Sequence, residues 1–173
     1  YDRSITPTAM RSLLTLSAIV ACSIAFSLPC DHVKGTGAVV KRTLNVPAFH
    51  GIDVQGSIDV VLTQAPTLSV EVEAQANLVD LVTMEVSKGT WTITTSKGYS
   101  TDKPFIVHIS SPLIDQVEVH GSGDVKSEST FTTDNVRLGI EGSGDIVLGF
   151  SAKTVTADIQ GSGDIKLSGA AQT

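Results

Sequence analysis

Cysteine is nearly absent from this chain: its 173 residues hold two, Cys22 and Cys30, both in or beside an apolar N-terminal stretch. The body of the chain therefore has no disulfide framework and no thiolate metal site. Basic side chains are also short, 12 Lys and Arg against 18 Asp and Glu for a net charge of -6, so most of the surface repels nucleic acid and anionic lipid. Aromatic residues reach only 5%. No segment keeps a sustained 3.6-residue apolar period, which excludes a helical or α/β fold. What is abundant is Val, Ile, Thr, Ser and Gly, the composition of many short strands joined at tight corners. At this length one all-β domain is expected.

The N-terminus has the order of a secretory signal: basic Arg11, an apolar run from Leu13 to Phe26 broken only by Ser and Thr, then small residues. The run is too short for a membrane span. Residues 1–27 are read as a signal peptide, with Met10 as the true start because Tyr1 cannot initiate, and residues 28–173 as the exported domain. Two processing routes stay open. Ala25-Phe26-Ser27 has the small-residue spacing that a signal peptidase prefers, whereas Ile19-Val20-Ala21-Cys22 has the form of a bacterial lipobox, which makes Cys22 a lipidation candidate. The apolar residues after Cys22 favour the first route; the unpaired thiol it leaves at Cys30 counts against it.

A pentapeptide recurs in the C-terminal half: Gly121-Ser122-Gly123-Asp124-Val125, Gly142-Ser143-Gly144-Asp145-Ile146 and Gly161-Ser162-Gly163-Asp164-Ile165. The period is about 20 residues, the first interval slightly longer than the second. Looser copies stand at Gly56-Ser57-Ile58-Asp59-Val60 and Gly35-Thr36-Gly37-Ala38-Val39, and the interval from Gly56 to Gly121 is close to three such periods. Apolar residues alternate around each copy: Val117 and Val119, then Val136, Leu138 and Ile140, then Val155, Ala157 and Ile159. Period two means strands with one buried face. The parity runs through the motif, so both glycines face inward at a crowded corner while Ser and Asp face out. Phe131 and Phe150, one period apart, imply a stacked pair. The expected fold is a right-handed parallel β-helix, a β-solenoid with about 20 residues per turn and room for about seven turns from Val33 onward. In the middle third, Leu68, Val70, Val72 and Ala74 alternate, as do Val82, Met84 and Val86, then Phe105, Val107 and Ile109. Lys88-Gly89 and Lys97-Gly98 read as turns, and Asn77 to Leu81 as a short helical turn.

From Val33 to the end the chain resembles the bacterial autotransporter-adhesin head GIN domain family. The resemblance rests on Gly35-Thr36-Gly37-Ala38-Val39, on the run Phe49-His50-Gly51-Ile52-Asp53-Val54-Gln55-Gly56-Ser57-Ile58-Asp59-Val60, on Asn77-Leu78 and on the Gly-Ser-Gly-Asp copies. It implies an exported envelope β-helix, often a lipoprotein, with no catalytic residues and with further repeats beyond the point where this chain stops.

Asp59, Asp124, Asp145 and Asp164 form the strongest candidate column. Carboxylates stacked at one strand spacing repel by about 0.8 kcal/mol per pair even in water, so something must offset them. Hydrogen bonds from local backbone N–H groups or the serine column are the favoured compensation. Calcium bridging is the weaker one, because one carboxylate per turn falls short of the six to eight oxygens Ca2+ takes. Nothing points to an enzyme: His32, His50, His108 and His120 lack metal-ligand spacing, Arg137 is the only arginine in the C-terminal half, and Gly-x-Ser-x-Gly is absent. No cofactor is implied. Trp91 and Phe105 read as core beside Ile93 and Val107, and Tyr99 as a surface aromatic. The functional expectation is a non-catalytic envelope or secreted module that binds an unidentified glycan or protein, touching membrane only through a lipid anchor. A purely structural scaffold is the alternative, and a polysaccharide-acting enzyme comes third. Unpaired strand edges near Leu167 imply end-to-end self-association.

Overall fold

The computed structural model describes residues 31–171. The assigned signal segment, Cys22 and Cys30 lie outside the described residues. Thirteen strands and one helical turn follow in order: β1 (His32–Lys34), β2 (Val39–Leu44), β3 (Gly51–Gly56), β4 (Asp59–Gln64), β5 (Ser69–Gln75), α1 (Ala76–Val79), β6 (Val86–Ser87), β7 (Thr90–Ile93), β8 (Gly98–Ser100), β9 (Ile106–Ser111), β10 (Gln116–Gly121), β11 (Val125–Gly142), β12 (Ile146–Gly161) and β13 (Ile165–Ala171).

The motif copies stack in parallel register. Gly56, Gly121, Gly142 and Gly161 are successive partners through β3, β10, β11 and β12. Beyond the bend, Val60, Val125, Ile146 and Ile165 are partners through β4, β11, β12 and β13. Each motif is thus a bend joining two strands of one layer, and four layers lie in register.

The expected regular parallel β-helix of about 20 residues per turn is nevertheless wrong. The chain folds as a curled half-barrel with a mixed sheet, in which β2 and β9 both run antiparallel to β5, and β6 runs antiparallel to β7. Gly56 pairs directly with Gly121, so the stretch between them is not three turns of a coil. The upstream copy at Gly35 to Val39 stays out of the stack and leads into β2, which lies antiparallel on β5. Period-two alternation marks a strand but carries no direction, because parallel and antiparallel strands share it.

The core is built where alternation placed it. Val117, Val119, Val125, Ile140 and Ile146 are buried, and Phe131 meets Phe150 with ring centroids 5.9 Å apart. Trp91 is fully buried, 5.4 Å from Phe49, and its indole N–H donates to the Thr83 carbonyl. Lys88 and Gly89, both at positive φ, make the tight β6–β7 turn. Some expected inward positions are exposed. Met84 lies at 48% exposure, and Val155 and Ile159 lie at 39% and 45% because β13 pairs with β12 only as far as Ala152.

Candidate functional site

Why the motif needs its residues follows from the layer spacing. A Cβ on Gly121, Gly142 or Gly161 would stand 2.3, 2.2 and 2.0 Å from the carbonyl oxygen of the preceding copy's first glycine, and all three sit near φ +142. At the second glycine the backbone is not left-handed. There the obstacle is contact alone: a Cβ on Gly123, Gly144 or Gly163 would stand 2.0 to 2.1 Å from a carbonyl oxygen of the layer before. Ile58 holds that position in the first copy, fully buried, because no motif copy stacks before it. The second glycines are buried as expected, whereas Gly121 and Gly142 are half-buried and Gly161 is exposed.

The glycine carbonyls and the aspartates bind the layers together. The Gly56 oxygen accepts from the N–H groups of Ser122 and Gly123 at 2.8 and 3.1 Å, and Gly121 repeats this with Ser143 and Gly144 at 2.9 and 3.1 Å. On the outer side, the Oδ1 atoms of Asp59, Asp124 and Asp145 accept the backbone N–H of Asp124, Asp145 and Asp164 at 3.1, 2.9 and 2.9 Å. These three carboxylates are thereby solvated by the next layer's backbone, which offsets the repulsion along the column, and Asp164 at its end meets Lys166 at 3.4 Å. Among the described residues no group of three His, Cys, Asp or Glu side chains is placed to hold a metal ion.

Three of the four histidines rest on carboxylates: His50 on Asp115 at 2.7 Å, His108 on Glu73 at 3.0 Å and His120 on Glu141 at 3.1 Å. Glu73 also meets Lys41 at 3.3 Å. The His108 hydrogen bond, then Lys41, hold the Glu73 carboxyl below the usual glutamate range against the opposing effect of burial. Glu73 in turn holds the Lys41 ammonium above its ordinary value. A hollow of about 210 Å3 opens over Gly139, rimmed by Glu118, His120, Arg137, Glu141 and Asp158.

A larger cleft, of about 630 Å3, lies at the first motif copy. It opens where the chain leaves the layer between β7 and β9, so that Thr94 to Phe105 swing out and β8 pairs with β1 instead. Gln55, Ser57 and Asp59 form one wall; Thr94, Thr95, Tyr99, Ser100, Thr101 and Lys103 form much of the rest. Tyr99, expected at the surface, is half-buried with its ring 5.0 Å from Phe105. Its hydroxyl is buried without a hydrogen-bond partner among the described residues. Burial, then the charge of Asp59, push this phenol above its ordinary pKa, so it stays a neutral donor. The first motif copy marks one wall of this cleft, but no motif marks the other, which comes from a stretch of unremarkable polar residues.

Fold and site together define a class: an all-β domain whose glycine and aspartate motif holds successive layers together and leaves a polar cleft at the end of the motif stack. The chain belongs to the family described as "Putative auto-transporter adhesin, head GIN domain", whose model matches residues 48–173. Membership of an adhesin family goes with an extracellular or envelope location. Among the described residues no helix is long and apolar enough to cross a membrane. Three solved structures share the fold. A "putative lipid binding protein" of Parabacteroides distasonis is 20% identical with a TM-score of 0.68, over 80% of this chain and 63% of that one. A "putative adhesin" of the same organism is 27% identical with a TM-score of 0.64, over 82% and 70%. A "putative adhesin" of Bacteroides fragilis is 17% identical with a TM-score of 0.56, over 79% and 100%. This chain thus matches less than two thirds of the length of the first of these. No curated protein matches the chain.

Proposed function

We propose that this chain is a non-catalytic adhesion module, exported to the cell envelope or beyond, that binds an extracellular ligand through its outer surface. The observation that carries this reading is that the repeated polar groups serve the stacking of the layers. The aspartates and glycine carbonyls tie one layer to the next, a structural role that accounts for the repeat of the motif. What stays open to a partner is strand faces, the hollow over Gly139 and the larger cleft. Adhesin membership supports the same reading.

Export belongs to the proposal, through cleavage near Ser27 or lipidation of Cys22, and the mass of the mature N-terminus separates the two routes. For adhesion itself, the full chain coupled to beads is passed under flow over glycan-coated and protein-coated surfaces. Saturable retention on at least one surface is expected. Retention on none would replace this reading with that of a structural spacer.

A further inference from the structure

The last layer leaves a row of the core uncovered. In the layer before it, Val136, Leu138 and Ile140 are buried. Their register partners on β12, Val155, Ala157 and Ile159, are exposed, because β13 covers β12 only as far as Ala152. Among the described residues an open strand edge therefore runs from Lys153, round the Gly161-Ser162-Gly163 bend, to Ala171, which is one full turn of the stack. Its inward side chains are apolar on both sides of the bend: Val155, Ala157 and Ile159 before it, Ile165 and Leu167 after it. A notch of about 180 Å3, lined by Phe150, Val155, Leu167 and Gly169 among others, opens on this end.

An edge of this form is a ramp that climbs one strand spacing in a turn. A ramp of one hand fits a second copy of itself turned end for end, with the two-fold axis through the middle of the edge, here at Ser162. Each residue before the bend then lies antiparallel to the residue the same distance after it in the second copy. On the inward face, Val155 falls opposite Gly169 of the second copy, Ala157 opposite its Leu167 and Ile159 opposite its Ile165. On the outer face, Thr156 falls opposite Ser168 of the second copy and Asp158 opposite its Lys166. No like charges are opposed, and the one charged pair is of opposite sign. In its own chain Asp158 accepts only the Gln160 amide, at 3.1 Å, among the described residues. The bend fixes this register, because both copies turn there. The opposite end of the stack offers no such ramp: the antiparallel strands β2 and β5 and the swung-out stretch from Thr94 to Phe105 close it. Head-to-tail growth therefore has no matching surface, and a second copy in the reversed orientation is the partner that fits.

We infer that two copies of this chain dock tail to tail through this edge, about a two-fold axis at Ser162, with β12 of each antiparallel to β13 of the other and Asp158 paired with Lys166 of the second copy. The assembly closes at two and turns the first layers, with the larger cleft, to opposite ends. An adhesion module built this way presents two outward faces and gains avidity. Sedimentation equilibrium of the full chain is expected to show monomer and dimer, and nothing larger, as concentration rises. Asp158→Lys or Lys166→Asp turns two attractive pairs per dimer into two repulsive ones and weakens dimerisation by about tenfold or more. Both changes in one chain restore the pair in the opposite sense and bring dimerisation back to within about threefold of the parent. Both side chains are exposed, so each variant keeps the far-UV circular dichroism of the parent. Growth beyond the dimer, a parent that stays monomeric, single variants that dimerise as the parent does, or a double variant no tighter than the singles each overturns the inference. None of these outcomes alters the retention of beads under flow, which tests adhesion separately.

Discussion

At the scale of single residues, the motif is a solution to crowding between layers. Gly142→Ala puts a methyl 2.2 Å from the Gly121 carbonyl oxygen at φ +141, so both contact and backbone strain oppose it. A loss of about 3 kcal/mol is expected in urea unfolding. Gly37→Ala is the control: φ is +82 but no atom lies within 4 Å, which leaves the backbone term alone, about 1 kcal/mol. Equal losses at the two sites would show that layer contact contributes nothing. The aspartate column makes a second prediction. Asp145 Oδ1 accepts the Asp164 N–H at 2.9 Å, so Asp145→Ala costs about 1 kcal/mol, while Asp145→Asn keeps an acceptor, sheds a like charge and stays within about 0.5 kcal/mol of the parent. If the column served instead to bind calcium, the asparagine variant would be the damaging one and a chelator would lower the melting temperature. No change on adding chelator is expected.

At the scale of elements, register was legible across the three C-terminal motif copies, and not at the two upstream ones. Ser122, Asp124 and Ser143 face out, Gly144 and Ile146 face in, and Phe131 meets Phe150, as alternation implied. The unequal motif spacings also have a structural cause. Between Lys126 and Thr130 the β11–β12 register shifts: Ser127, Glu128 and Ser129 together face Leu148 alone, which accounts for the longer interval before Gly142 and the shorter one after it. The serine hydroxyls replace lost ladder bonds, Ser127 accepting the Gly149 N–H at 2.8 Å and Ser129 that of Gln64 at 2.5 Å. What alternation did not disclose is the antiparallel group β2, β5 and β9. Its outer face carries Lys41, Glu73 and His108, one from each strand. Glu73 has a depressed pKa, so its contribution to stability is complete above its unfolded value and is lost as pH falls through the folded value. The window therefore opens near the ordinary glutamate value of 4.5 and extends below it. Urea midpoints measured from pH 7 downward should fall more steeply for the parent than for Glu73→Gln. Parallel curves would mean that the three strands gain nothing from this cluster.

For the molecule as a whole, composition and motif made the all-β class and the family legible, but not the path of the chain. A regular coil was the simplest route that put five motif copies in line; the chain aligns four and spends its middle third on antiparallel strands and on the excursion that walls the cleft. Neither is encoded by local pattern, because both depend on which strand edges meet in space. Edges also govern the last prediction. Among the described residues β13 pairs only with β12, and the last two layers expose Val147 at 45%, Ile159 at 45% and Leu167 at 42%. A strand with one open edge beside exposed apolar side chains is a template for another strand. The full chain is therefore expected to associate reversibly, with a sedimentation coefficient that rises with concentration. Leu167→Lys places a charge on that edge and should hold the chain at monomer mass with its melting curve unchanged. Association that survives Leu167→Lys would place the contact elsewhere. In that case the hollow over Gly139, where Arg137 stands among Glu118, Glu141 and Asp158, is the next surface to charge-reverse, since a polar, salt-sensitive contact there would weaken as ionic strength rises, whereas the apolar edge contact would not.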